Sequence, residues 1–466
     1  MATTTAPVYS SLLDLIGNTP MLELTRMDTG KCRLFVKLES QNPGQSIKDR
    51  IAVAMVEAAE RAGKLKPGGR IVEATAGNTG IALALVAAVK GYRLTVVMPD
   101  KMSEEKISHL RAMGAEIVLT RSDVGRGHPE YYQDIAERIA SKDPNAFYVN
   151  QFGNAANPEA HYRTTGPEIW AQMEGRIDAF VAGVGSGGTI SGVGKFLKEK
   201  DPNVTIVLAD PKGSILAPLV NEGRTVEPGS WLVEGIGEDF IPSILDLDLV
   251  DTAYTVTDAE AFATVRELLR AEGVLAGSSV GVLLCAALRY CREQSEPKRV
   301  VTLICDSGAK YLSKMYNDFW MREQGFIGRQ ATGDLRDLIS RRHQDREDWT
   351  ISPDAPLGLA IRRMKLFSAS QLPVVDAGDS LRGILDESDV LLALAQDESA
   401  ASRPVADFMS SRVETIHPSA RPEDLLPIFR ADRVAVVHDG TAFHGIITKI
   451  DMIAWLRNRQ AQGLAK

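Results

Sequence analysis

From residue 33 to residue 305, short and near-continuous apolar runs alternate with helical patterns of roughly ten to fifteen residues. The runs RLFVKLE, RIVEAT, RLTVVMP, EIVLT, DAFVAGV, VTIVLAD and RVVTLIC read as strands, and segments such as DRIAVAMVEAAERAG and TGIALALVAAVKG read as helices. A strand that is apolar at successive positions must be covered on both faces, and the intervening helices are what cover it. The expected class is α/β with parallel sheets. In such folds ligands sit where the carboxyl ends of strands give way to turns.

The pattern changes near residue 325. MREQGFIGRQATGDLRDLISRRHQDREDW has few apolar residues and balanced charge, so it reads as a linker over 325–350 whose arginines form a solvated face. Residues 1–324 then form the first domain. Beyond the linker lies an internal repeat over 351–400 and 401–466: QLPVVDAGDSLRGILDESDVLLAL and RVAVVHDGTAFHGIITKIDMIAWL align as strand, turn, strand and helix. Gly383 and Asp389 recur at equal spacing as Gly445 and Asp451. Two copies of such a unit bury each other's faces by stacking.

Several classes of function are disfavoured. The net charge of -8 over 466 residues argues against a nucleic-acid partner, which needs a basic face. Cys32, Cys285, Cys291 and Cys305 form no CxxC pair and the seven histidines are scattered, so neither a disulfide framework nor a metal site is expected. No apolar run approaches ~20 residues without a charge or glycine, so no membrane span is expected. MATTTAPVYSSLLDLIGNTP lacks the basic and apolar regions of a signal peptide, and no arginine precedes Arg26. The expected compartment is the cytoplasm.

Four strand-end segments carry chemistry. ESQNPGQSIKDRI (Glu39–Ile51) sets Lys48 behind an Asn-Pro-Gly turn at the opening of a helix. The positive helix end and burial both disfavour an ammonium there. A lysine of depressed pKa is the kind that forms a Schiff base with a carbonyl; the alternative is an exposed lysine in solvent. ATAGNTGIA opens a helix whose free N–H groups suit a carboxylate or phosphate, unless it is a plain turn capped by Asn78 or Thr79. GVGSGGTISGVG has little side-chain bulk around Ser186, so backbone amides can wrap an anion, with the Thr189 hydroxyl as a further donor. No GK[ST] follows and no lysine lies close by, so a single phosphate fits better than a nucleotide; a tight-packing glycine turn is the alternative. LICDSGAKYL ends a strand with Ser307, which alone is unremarkable. A Schiff-base lysine, a monophosphate loop and a carboxylate-binding helix mouth point together at pyridoxal phosphate acting on an amino acid.

NPGQSIKDR, ATAGNTGIALA, VMPDKMSEEK, AHYRTTGPEIW, GVGSGGTISG, VEGIGEDFIP and CDSGAKYLSKM resemble the fold type II pyridoxal-phosphate enzymes, the family of cysteine synthases and cystathionine β-synthases, over roughly residues 8–322. The second half resembles a tandem CBS-domain (Bateman) module. The resemblance implies a catalytic core of two subdomains, each with a parallel or mixed sheet, followed by a tandem CBS-domain α/β module. It implies Lys48 as the Schiff-base lysine that also moves the α-proton. It implies Gly185, Ser186, Gly187, Gly188 and Thr189 as the phosphate loop, Asn78 as partner of the cofactor's phenolic oxygen and Ser307 as the residue facing the pyridine nitrogen. Thr75, Ala76, Asn78 and Thr79 match the loop that clasps the amino-acid carboxylate, and Gln151 a supporting glutamine. A serine at the pyridine nitrogen leaves the ring unprotonated and a weaker electron sink, which favours loss of a β-substituent.

The chain pairs this core with the CBS repeats and carries DPKGSIL and VEGIGEDFIP, which favours the cystathionine-forming branch. The implied reaction joins L-serine, or an activated serine, to L-homocysteine, with hydrogen sulfide released when cysteine is the donor. One alternative is cysteine synthesis from O-acetylserine and sulfide; another is a catalytically weak sensor of an adenosyl ligand. In the repeats, Ser388, Asp389, Thr448 and Asp451 match residues that bind such a ligand, S-adenosylmethionine for example, unless the module is purely structural. The implied partners are amino-acid substrates and further copies of the chain, in a homodimer or higher homo-oligomer. Three features depart from the family pattern. No early Cys/His pair precedes the core, so no haem is expected. Ala76 stands where many relatives have serine, and Glu238 where animal enzymes have tyrosine.

Overall fold

The computed structural model describes residues 8–461 except 76, 101–103, 122, 125–126 and 330. The chain divides into two units, Met1–Tyr316 and Asn317–Lys466. In the first, the strands are β1 (Met21–Leu24), β2 (Arg33–Lys37), β3 (Arg70–Ala74), β4 (Arg93–Pro99), β5 (Glu116–Thr120), β6 (Ala146–Tyr148), β7 (Ala179–Ala182), β8 (Thr205–Pro211), β9 (Thr252–Val256) and β10 (Arg299–Leu303). They form two sheets, ordered β1-β2-β10-β7-β8-β9 and β5-β4-β3-β6. All seven runs read as strands are strands. Every pairing among them is parallel. The exception to parallel order is β1, which pairs antiparallel with β2 at the edge. Its sequence MLEL is too short and too polar to announce a strand, and pairing with β2 is what makes it one.

Burial explains the apolar runs. In β4, β7 and β8, consecutive side chains are buried irrespective of parity, so both faces of the sheet are covered. The edge strand β5 is only partly buried, and the short strand β6 likewise. The helix Lys48–Arg61 buries Ile51, Ala52, Met55, Val56 and Ala59, one stripe at helical spacing. That stripe packs in one cluster with the helix Asn78–Lys90, whose residues Thr79–Ala87 are all buried. The helix Asn78–Lys90 stops at Gly91, in the left-handed conformation. The catalytically suggestive segments follow β2, β3, β6, β7 and β10, so each lies at the carboxyl end of a parallel strand.

The second unit carries the repeat. Its strands are β11 (Gln371–Val375), β12 (Leu381–Asp386), β13 (Thr415–Ile416), β14 (Ala435–His438) and β15 (Phe443–Ile447). The hairpins β11–β12 and β14–β15 are each followed by a helix, Glu387–Gln396 and Lys449–Ala461. Their registers match: Val374 faces Gly383, Val437 faces Gly445, and a bulge follows each valine. The glycines recur because another chain segment approaches them: a Cβ on Gly383 would stand 2.7 Å from the Ser410 carbonyl oxygen, and one on Gly445 2.7 Å from Ile339. The repeats share a cluster containing Val375, Val436 and Phe443, as stacked copies should.

The stretch 325–350 departs from its reading as a charged, solvated segment. Leu335, Leu338 and Ile339 are buried in the core of the second repeat. Several of its arginines are engaged: Arg329 pairs with Glu347, as does Arg322 just before the stretch, Arg342 pairs with Asp337 at 2.9 Å, and Arg341 lies over Phe319 and Trp349, 3.8 Å from each ring centroid, while Arg346 stays exposed and pairs with Asp379. Local composition could not reveal this, because the partners come from outside the stretch or from its acidic residues in a particular fold. All four cysteines are free. Among the described residues, no helix is long and apolar enough to cross a membrane, and no group of three His, Cys, Asp or Glu could hold a metal.

Candidate active site

The turn before Lys48 is fixed by a buried polar network. Arg50 donates to Glu39 through Nε at 2.7 Å and to Glu168 through a terminal nitrogen at 2.7 Å, and Lys37 pairs with Glu168 at 2.8 Å. Thr19 and Asn42 add hydrogen bonds to the Glu39 carboxylate, and Gly44 donates its N–H to Asp49. Gln45 takes a positive φ of 61°, and the chain then bonds to the end of the β10 segment. Ile47 donates to the Cys305 carbonyl at 2.8 Å and Ser307 to the Gln45 carbonyl at 3.2 Å. Lys48 emerges as the first residue of its helix, half-buried. Burial pushes its pKa down, against the pull of Cys305, Glu238 and Asp306. The exposed-lysine alternative is therefore set aside.

The loop after β3 is not a plain capped turn. Gly77 occupies the cap position without a side-chain cap, and Asn78 and Thr79 turn elsewhere. Asn78 donates through Nδ2 to Asp306 Oδ2 at 2.8 Å and accepts from Lys310 Nζ at 2.8 Å. Thr79 donates to Gln151 Oε1 at 2.7 Å. Thr75 is buried, and its hydroxyl accepts the Gly77 N–H at 3.4 Å. Ala76 lies outside the described residues. Behind Gln151 sits the fully buried Glu73, whose carboxyl is pushed up to about 8 by burial, against the N–H groups of Gln151 and Asn150.

The glycine loop after β7 opens the helix Gly188–Lys200. Gly187 has φ 87°, which a residue with a Cβ rarely adopts. A Cβ on Gly188 would stand 1.9 Å from Asn157 Oδ1, and one on Gly185 2.5 Å from the Gly235 carbonyl oxygen. Ser186 accepts from Asn157 Nδ2 at 2.9 Å. Thr189 lies 3.2 Å from His161 Nε2, and His161 Nδ1 lies 2.9 Å from the Thr165 hydroxyl. His161 stands where the helical segment widens into a π turn, His161–Thr165, and burial holds its pKa well below the usual value, so the ring is neutral.

Ser307 accepts the Ala309 N–H at 3.2 Å, capping a short 3-10 turn. Its own hydroxyl hydrogen remains to be offered to an acceptor. Glu238 is half-buried in the loop Gly235–Phe240, near enough to Lys48 for each to shift the other. Burial, then repulsion from Asp239, push its carboxyl well above the usual range against Lys48. It is not a freely solvated rim charge.

The donor set fits pyridoxal phosphate. A phosphate ester needs a cradle free of side chains at a helix N-terminus, where the first N–H groups lack intrahelical partners. Gly185–Thr189 opens a helix with the little side-chain bulk such a cradle needs, while the Cβ space of Gly185 and Gly188 is taken by Gly235 and Asn157, as in a tightly packed glycine turn. A neutral pyridine nitrogen needs a hydrogen-bond donor, which Ser307 retains. An aldehyde needs an amine with a depressed pKa, which Lys48 supplies. Four residues close to these groups escape reading along the chain: Asn157, His161, Asp306 and Lys310. Asp306 and Lys310 stand in the quoted segment LICDSGAKYL and His161 in AHYRTTGPEIW, but without a role there; Asn157 meets the site only through tertiary contact.

In the second unit, Asp389 accepts the Asp386 N–H at 3.0 Å and Asp386 accepts the Ser388 N–H at 2.8 Å. Asp451 accepts from the Thr448 N–H at 2.7 Å and hydroxyl at 2.6 Å. Both pairs thus stand at equivalent helix starts, where each aspartate caps its own helix.

The chain is similar to known proteins over most of its length. Residues 12–306 match the family described as pyridoxal-phosphate dependent enzymes, and 336–396 and 405–458 match the CBS domain. The cystathionine beta-synthase of Apis mellifera is 45% identical over 323 residues, 69% of this chain and 64% of that protein. The cystathionine beta-synthase of Oryctolagus cuniculus is 37% identical over 472 residues, 97% of this chain and 86% of that one. The crystal structure of a hydrogen sulfide-producing enzyme from Fusobacterium nucleatum, 41% identical, superposes with a TM-score of 0.61 over 66% of this chain and 100% of its own. Since the likeness to the rabbit protein runs through both the catalytic part and the CBS repeats, the chain belongs to the cystathionine β-synthase family of pyridoxal-phosphate dependent enzymes.

Proposed function

We propose that this protein condenses L-serine, or an activated serine, with L-homocysteine to give L-cystathionine, and releases hydrogen sulfide when cysteine is the donor. The observation that carries this reading is the joint match of the core and both CBS repeats to cystathionine β-synthases, over 97% of the chain for the rabbit protein. Bound pyridoxal phosphate supplies a conjugated ring that withdraws electrons from the substrate's Cα and lets the β-substituent depart.

The chain's own residues do the rest. The amides of Gly185–Gly188 and the Thr189 hydroxyl hold the phosphate, with neutral His161 fixing the Thr189 side chain. Ser307 donates to the pyridine nitrogen. Lys48, its pKa lowered by burial, would hold the cofactor through its amine and move the proton at Cα. Thr75, Thr79 and Gln151 hold the substrate carboxylate near the N-terminus of the helix Asn78–Lys90, where the helix dipole favours an anion. Glu238, raised toward its neutral form, stands near Lys48, where a departing hydroxyl needs a proton. Ser388, Asp389, Thr448 and Asp451 are proposed to contact an adenosyl ligand from two equivalent helix starts, and residues 1–324 to act as the catalytic domain. We further propose a homo-oligomer: Leu391, Leu392, Ile450 and Ile453 leave apolar surface exposed on two helices.

Two incubations test the reaction: serine with homocysteine, and O-acetylserine with sulfide, each analysed for products by mass. Cystathionine in the first is expected. Its absence there, with cysteine formed in the second, would replace this proposal by cysteine synthesis.

A further inference from the structure

We infer that Asp306 and Lys310 are positioning residues that lock the side-chain amide of Asn78 in one of its two orientations. An asparagine amide turned by half a revolution exchanges a donor for an acceptor at almost no change of shape, so only its partners decide which edge faces which way. Here the partners are opposite in kind. Asp306 accepts and has nothing to donate to the amide when ionised; Lys310 donates and cannot accept. Asn78 Nδ2 faces Asp306 Oδ2 at 2.8 Å, and Asn78 Oδ1 faces Lys310 Nζ at 2.8 Å. The reversed amide would set oxygen against the carboxylate and N–H₂ against the ammonium, losing both hydrogen bonds together.

Both partners are themselves fixed. Asp306 is 1% exposed and its Oδ2 also accepts from the Tyr311 hydroxyl at 2.7 Å. Its other oxygen fills the space that a Cβ on Gly277 would need, 1.9 Å away. Lys310, 6% exposed, donates to the Gly44 carbonyl at 3.1 Å, in the turn that leads to Lys48. The pair therefore ties together the turn before Lys48, the helix start at Asn78 and the segment carrying Ser307. One Nδ2 hydrogen is spent on Asp306, and the Tyr311 hydroxyl, itself bonded to Asp306, is a further hydrogen-bonding neighbour of the amide, so its Nδ2 is held as the donor edge. The inference deepens the proposed function and rests on its reading that Asn78 serves the cofactor's phenolic oxygen. A fixed donor there favours the deprotonated oxygen, which absorbs in the visible; without it the near-ultraviolet form of the bound cofactor gains.

The full-length protein reconstituted with pyridoxal phosphate tests this by absorbance and by cofactor titration. Asp306→Asn and Lys310→Met are expected to shift the ratio of visible to near-ultraviolet bands toward the near-ultraviolet and to weaken cofactor binding roughly three- to tenfold, the worth of one hydrogen bond. Lys310→Arg, which keeps a donor, is expected to restore the wild-type ratio. Circular dichroism and melting are followed in parallel, and if Asp306→Asn does not fold, Lys310→Met carries the test. A wild-type band ratio and affinity in folded Lys310→Met overturn the inference. Asn78→Ala separates the two readings: if it shifts the bands while Lys310→Met does not, only the positioning role falls. If Asn78→Ala leaves them unchanged, the role of Asn78 in the proposed function falls with it.

Discussion

At the scale of single residues, Lys48 gains its chemistry from where it stands. It opens a helix, is half-buried, and has a pKa lowered chiefly by burial. Replacing it by alanine is expected to abolish the yellow colour of the cofactor-bound protein and to cut turnover by about 10²–10⁴, the worth of a positioned proton carrier. Glu73 makes a different prediction. Burial raises it from 4.5 to about 8. Between those values the folded protein holds a proton that the unfolded chain has lost, so stability falls as pH rises through the window, by at most about 1.4 kcal/mol per pH unit. Glu73→Gln removes the titrating group. The variant's melting temperature should rise relative to wild type as pH goes from about 5 to about 8, and a constant difference between the two would refute the assignment.

At the scale of elements, the helix Lys48–Arg61 is held at its start by charge and along its length by apolar packing. Its apolar stripe was legible in the sequence as Ile51, Ala52, Met55, Val56 and Ala59, because helical spacing is local. The anchoring of its first turn was not, because Arg50 meets Glu39 back across the Asn-Pro-Gly turn and Glu168 from a distant segment. Arg50→Met leaves the fully buried Glu39 without its charge partner and Glu168 with Lys37 alone, and should cost about 3–5 kcal/mol. Urea unfolding monitored by fluorescence measures this, and the cofactor should be released at a lower urea concentration than in wild type. The glycine loop shows the same division. Its low bulk was visible in GVGSGGTISG, but the reason Gly188 must be glycine is Asn157, which reaches it across the fold.

At the scale of the whole molecule, every residue of the candidate active site lies in the unit Met1–Tyr316, and the repeats have their own cores in Asn317–Lys466. Removing residues 317–466 should therefore leave cofactor binding intact, read as visible absorbance, while changing turnover or oligomeric state, read by assay and by light scattering. Loss of cofactor binding would show that the first unit does not stand alone. No change in turnover or oligomeric state would leave the repeats without a regulatory role.

The sequence by itself determined the α/β class, the seven strands of continuous apolar character, the internal repeat and the positions of Lys48, Asn78, the Gly185–Thr189 loop and Ser307. The class, the strands, the repeat and the strand-end placement of these segments follow from periodicity, turn chemistry and order along the chain, which act over a few residues, whereas the roles expected of Asn78 and Ser307 rest on the family resemblance. Tertiary structure decided the rest. It recruited MLEL as an edge strand, drew Leu335, Leu338 and Ile339 into a repeat's core, and set Asp306, Lys310, Asn157 and His161 around the site. Such pairings join residues tens to hundreds of positions apart, and the cost of leaving a polar group unpartnered arises only once folding has buried it.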